Sequence, residues 1–143
     1  HRARPGALVA GGATAPRAST GGVSPVDWIA GMARAHARLD AMGQRMRDGL
    51  NQISRAAGQK AQASGDGSLF QIVPSDRPLS NYRDVPQNAA AFDWLDRLHR
   101  ALLCSGVIIS HRGLSCVSSA MGEAEVDEVL VAFDQAVAGL QPG

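Results

Sequence analysis

Lysine is almost missing from this chain of 143 residues: fourteen residues are basic, thirteen of them are arginine, and Lys60 stands alone. Chemistry that needs a side-chain amine must use Lys60 or borrow a lysine from elsewhere. A surplus of either charge is also missing, with fourteen basic residues against thirteen acidic. That balance excludes a nucleic-acid binder working by bulk charge, which carries a marked basic excess. No apolar run approaches the roughly eighteen residues of a membrane helix, so a membrane span is excluded. Cysteine is scarce as well. Cys104 and Cys116 are too few for a disulfide framework and lack metal-ligand spacing. Both read as small buried hydrophobes, in a reducing, cytoplasmic setting. The start at His1, with no signal-peptide pattern after it, suggests a processed or shortened product.

What is present fits one domain, since 45% of the residues are hydrophobic. A chain this long buries roughly two-thirds of the surface it exposes when unfolded. Residues 1–25 stand apart, rich in glycine and proline, with arginines and no acid. They read as an irregular leader or the remnant of a preceding domain, and residues 26–143 as the folded part. From Asp27 the apolar positions Ile29, Met32, Ala35, Leu39, Met42, Met46, Leu50 and Ile53 step by three or four, one face of a long helix. Arg34, Arg38, Arg45, Arg47 and Asp48 fall largely on its other face. Ser24 before Pro25 supplies the N-cap signal, and Gly58 the stop.

The turn Ser64-Gly65-Asp66-Gly67 leads into a strand over 68–73, then a polar loop from Pro74 to Pro86. A second helix is predicted over 88–105, burying Phe92, Leu95, Leu98, Leu102 and Leu103. Strands follow at 107–110 (VIIS) and 114–118 (LSCVS), joined by a tight turn, and a final helix starts near Glu123 with acids in its first turn. Val126, Val129, Leu130, Phe133 and Val137 form that helix's apolar face. The order predicts an α/β chain of the α+β layer type: a small, mainly antiparallel sheet with helices on one face, preceded by a long helix.

Few residues announce chemistry. No nucleophile elbow, dinucleotide glycine pattern or metal-ligand spacing occurs. His36 and His99 read as solvated groups on helices. The turn Ser110-His111-Arg112-Gly113 is the exception. Such a turn can present a guanidinium and backbone amides to an anion, although it also reads as a plain hairpin with an exposed arginine.

Six stretches resemble one family. They are ARLDAMGQRMRDGLNQI (37–53), GDGSLFQIV (65–73), DRPLSNYRDV (76–85), LHRALLCSGVIIS (98–110), RGLSCVSSAM (112–121) and GEAEVDEVLVAFDQAV (122–137). In order and spacing they resemble the C-terminal part of class III aminotransferases, particularly the glutamate-1-semialdehyde aminomutase-like branch. The resemblance implies the small C-terminal domain of a fold type I pyridoxal-phosphate enzyme, packed on a large upstream cofactor domain. It implies a small-molecule amino/keto substrate, Schiff-base chemistry that moves an amino group by transfer or mutation, and a homodimer when complete. Gly12, Ala13 and Thr14 lie near the family's GGTF segment, which would contact the cofactor phosphate; alanine stands at the expected threonine position. Ser115-Cys116-Val117 occupies the place where many members carry a carboxylate-binding arginine, and the aminomutases' loop glutamate is also missing. Arg112 is the remaining candidate for the substrate-side anion contact. The resemblance also implies that the Schiff-base lysine lies upstream of the GGTF segment, outside these residues; Lys60 itself falls in a polar link and reads as a solvated lysine. The alternative is a catalytically inactive fragment or an α+β interaction module without enzymatic activity.

Overall fold

The computed structural model describes residues 22–140, so Gly12, Ala13 and Thr14 lie outside the described residues. The chain falls into two compact units, His1–Ala35 and His36–Gly143. In the first, helix α1 (Pro25–Ala56) begins where the Ser24 hydroxyl accepts a bond from the Asp27 amide at 3.1 Å. The apolar residues of this stretch are open to solvent: Trp28 is 62% exposed, Ile29 68% and Met32 48%. The helical spacing predicts a buried face through Ile29, Met32 and Ala35, all of which are exposed. Burial along that face starts only at Leu39, inside the second unit.

The second unit holds the rest of α1, strands β1 (Gln62–Ser64) and β2 (Leu69–Val73), helix α2 (Ala89–Cys104), strand β3 (Leu114–Cys116) and helix α3 (Glu123–Ala138). Its sheet has the order β1-β2-β3, antiparallel throughout, with Ser64 opposite Gln71 and Gln71 opposite Leu114. Alternation sends Ala63, Phe70, Ile72 and Val117 into the core, while Leu69 and Leu114 stay 52% and 49% exposed on the other face. The helices cover one face only, as the element order predicts. Met46, Leu50, Leu98, Val126, Phe133 and Val137 close the core, each at most 1% exposed. Full burial of one such side chain stabilises the fold by about 1.5–3 kcal/mol.

Two strand expectations need correction. Gln62–Ser64 forms a strand although its sequence is polar, because Asn51 on α1 clamps it. The Asn51 carboxamide donates to the Ala63 carbonyl at 3.1 Å and accepts from the Ala63 amide at 2.8 Å. Conversely, 107–110 is no strand. The Val107 amide turns back to the Leu102 carbonyl at 2.9 Å, and the Ile109 carbonyl meets Nδ1 of His99 at 2.9 Å. Only the last residue, Ser110, reaches β3, its amide bonding the Leu114 carbonyl at 3.0 Å.

Side-chain burial also departs from expectation elsewhere. Arg47, placed on the solvent face by periodicity, is only 8% exposed. Its guanidinium donates to the carbonyls of Gly67 at 2.9 Å and Leu69 at 2.8 Å, pinning the β1–β2 hairpin to α1. Cys104 and Cys116 are exposed rather than buried, at the last turn of α2 and on the open face of β3. Leu103 is 51% exposed at the end of α2. His99 is half-buried through its bond to Ile109, not solvated. His36 and Lys60 are exposed, as the sequence suggests.

Helix ends are capped locally. Asn88 accepts from the Ala91 amide at 2.9 Å to start α2, and Gly106, at φ +82°, carries the chain away from its end. At the start of α3 the Glu125 carboxylate accepts from the Gly122 amide at 2.7 Å, which lowers its pKa together with its other backbone bond and nearby Arg38. Gln59 ties the three helices together. Its Oε1 accepts from Trp94 Nε1 at 3.2 Å, and its Nε2 donates to the Val137 and Leu140 carbonyls at 3.1 Å each.

Candidate functional site

The turn between Ile109 and β3 is shaped by one serine and one glycine. The Ser110 hydroxyl accepts from the amides of Arg112 at 3.3 Å and Leu114 at 2.9 Å. Gly113 sits at φ +80°, and a Cβ there would stand 2.3 Å from the Ile72 carbonyl oxygen, so the turn tolerates only glycine. Gln71 on β2 donates to the Arg112 carbonyl at 3.2 Å. The backbone of the turn is therefore fixed from both sides.

Its two exposed side chains are fixed by α2. His111 lies against His99, with ring centroids 4.3 Å apart, and its Nδ1 is 3.3 Å from Asp96 Oδ1. The Arg112 guanidinium carbon stands 3.8 Å over the centroid of the Phe92 ring, a cation–π stack. Phe92, predicted on the buried side of α2, is half-buried with Arg112 on its face. Phe92, Asp93, Asp96, His111 and Arg112 line a cleft of about 300 Å³. The sequence marks the Ser110-His111-Arg112-Gly113 turn but not its setting: Phe92 reads as core and His99 as solvated, and only the fold brings them against Arg112 and His111.

A larger cleft, about 560 Å³, lies between the 74–88 loop and α2, lined in part by Lys60, Arg77, Arg83, Asp84 and Trp94. Volume does not make it the better candidate. The helix end there is already capped by Asn88, and Asp84 is occupied with its own loop. The Asp84 carboxylate accepts from the amides of Ser80 at 2.7 Å and Asn81 at 2.9 Å, and these bonds, Ser80 first, lower its pKa. A depressed carboxyl pKa favours the folded loop above the unfolded-state pKa, and that contribution is lost as pH falls through the folded value. In an acid titration followed by NMR, the Ser80 and Asn81 amide signals are expected to move together, with a midpoint below that of an ordinary aspartate. A midpoint at or above the ordinary value contradicts the assignment.

Pyridoxal phosphate does not fit the described residues. A Schiff-base site needs a lysine facing a cradle for the phosphate. The single lysine, Lys60, is exposed beside the larger cleft and does not line the cleft of Arg112. Among the described residues no group of three histidine, cysteine or acidic side chains is placed to hold a metal. None of the described helices is long and apolar enough to cross a membrane.

Comparison with known proteins places this architecture. No family model matches the chain. Among solved structures, an omega-transaminase from Sphaerobacter thermophilus is 36% identical with a TM-score of 0.69, covering 73% of this chain and 24% of that one. A transaminase with PLP bound is 33% identical with a TM-score of 0.60, covering 73% and 23%. The FumI protein of Sphingopyxis sp. MTA144, in its PLP internal aldimine form, is 26% identical with a TM-score of 0.57, covering 74% and 24%. The chain thus spans about a quarter of the length of the structures it matches. The three-stranded antiparallel sheet with its packed helices is the architecture of the C-terminal portion of the transaminase fold.

Proposed function

We propose that this chain acts as the small C-terminal domain of a pyridoxal-phosphate-dependent aminotransferase of class III. Its role is to present Arg112 to the anionic group of an amino or keto substrate. The observation that carries the proposal is the 36% identity to an omega-transaminase at a TM-score of 0.69. The likeness extends over 73% of this chain. Two features of the site support it. The Arg112 turn is rigid in its backbone, and among the described residues no carboxylate pairs with the guanidinium. An arginine held this way offers the planar fork that binds a carboxylate through two parallel bonds.

The cofactor, its Schiff-base lysine and the large domain that carries them belong, in this reading, to the three-quarters of the enzyme that the chain does not span. The matched structures have that additional length, and the fit failure at Lys60 agrees with it. Gly12, Ala13 and Thr14 are proposed as the cofactor-phosphate contact. The aminomutase-like branch, homodimeric assembly and a cytoplasmic setting are proposed from the sequence resemblance; two exposed, unpaired thiols suit a reducing compartment. Residues 26–143 are proposed as the small domain with its entry helix.

The chain itself tests where the lysine comes from. Given pyridoxal phosphate, an amine donor and a keto-acid acceptor, the 143-residue chain is expected to show no turnover above free pyridoxal phosphate. Turnover that disappears in Lys60→Arg would overturn the assignment of the lysine to another part of the enzyme.

A further inference from the structure

We propose that Phe92 is a positioning residue for Arg112, holding the guanidinium as an open receptor for a carboxylate. The proposal rests on the reading of Arg112 as the anion contact. With its carbon 3.8 Å over the ring centroid the guanidinium lies against Phe92, while its N–H bonds radiate from the edge of its own plane. A stacked arginine therefore keeps its donors free while losing the freedom of its long stem. Two acids line the same cleft, yet each is committed elsewhere. Asp93 pairs with Arg97 at 3.0 Å, and Asp96 pairs with Arg100 at 3.8 Å and His111 at 3.3 Å. These pairs are spaced four residues apart on α2 or reach the neighbouring turn residue, and they leave Arg112 to the aromatic ring. The arrangement keeps a cation unpaired beside two carboxylates, which suits a group reserved for an incoming anion.

Preorganisation predicts the sign of the effect. Without the ring, Arg112 must give up stem freedom on binding, and it can reach the acids it now avoids. An exposed cation–π contact corresponds to about a threefold change in affinity. The test uses the full 143-residue chain, labelled with 15N, with acetate as the probe and chloride at equal ionic strength as the control. The expected result is a saturable shift of the Arg112 side-chain signal with acetate and not with chloride. Phe92→Leu should weaken it about threefold with the amide spectrum beyond the cleft unchanged, and Phe92→Trp, which keeps a stacking face, should restore it. Affinity unchanged in Phe92→Leu, or equally weak in Phe92→Trp, overturns the positioning role while Arg112 stands. Acetate shifts of the His111 and Gly113 amides that persist in Arg112→Ala, or no saturable shift in the unaltered chain, remove Arg112 itself.

Discussion

Gly43→Ala is expected to destabilise the fold by about 2 kcal/mol, although alanine is normally the better helix residue. An alanine Cβ at position 43 would stand 1.9 Å from the Gly67 carbonyl oxygen and 3.1 Å from the Ser68 Cα. Both obstacles are backbone, so the hairpin must move away from α1. Overpacking of this kind costs about 1–3 kcal/mol or more, against roughly 1 kcal/mol gained in helix propensity. Moving the hairpin also pulls the Gly67 and Leu69 carbonyls from Arg47, whose charged bonds are worth about 1.5–3 kcal/mol each. Two neighbours on the same helix serve as controls. At Gly49 the obstacle is the flexible end of Leu130 at 2.7 Å, and at Gly31 only the tip of Arg34 comes within 4.0 Å. Urea unfolding should therefore rank Gly43→Ala least stable, Gly49→Ala between, and Gly31→Ala at or above the unaltered chain. Gly43→Ala matching Gly31→Ala would refute the backbone contact. Arg47→Ala should be non-additive with Gly43→Ala, because both act on one hairpin.

That contact shows why some of the fold was legible in the sequence and some was not. Periodicity reports which way a residue faces along its own element. It finds the three helices, and β-branched and aromatic content finds the strand read over 68–73 and observed as Leu69–Val73. It missed what depends on a partner distant in sequence. Arg47 looks solvated until the hairpin carbonyls come to it, and the polar strand Gln62–Ser64 exists because Asn51 completes its bonding. The reverse holds at 107–110, whose short apolar run reads as a strand but whose backbone is bonded to α2 at Leu102 and His99 instead. The site follows the same rule. A tight Ser-His-Arg-Gly turn marks Arg112 locally, whereas the pairing of Arg112 with Phe92, and of His111 with His99 and Asp96, spans ten to twenty residues of chain and carries no periodic signal.

The second large effect concerns substrate. Consider a chimera in which residues 36–140 of this chain replace the matched quarter of the Sphaerobacter thermophilus omega-transaminase. In that protein Arg112→Ala is expected to lower kcat/KM by about tenfold for a carboxylate-bearing amine, the low end of a charged hydrogen bond at an open site. An uncharged amine should react as before. Arg112→Lys should recover only part of the loss, since an ammonium keeps the charge but not the bidentate fork. Equal losses on both amines would mean a structural defect, and no loss on either would take Arg112 out of substrate binding.

The same chimera tests the central claim, that these residues are a working small domain of a transaminase. With pyridoxal phosphate bound, as read from its visible spectrum, the chimera should catalyse transamination between an amine donor and a keto acid. A folded chimera that binds the cofactor yet shows no transamination, beside an active parent enzyme, would contradict it.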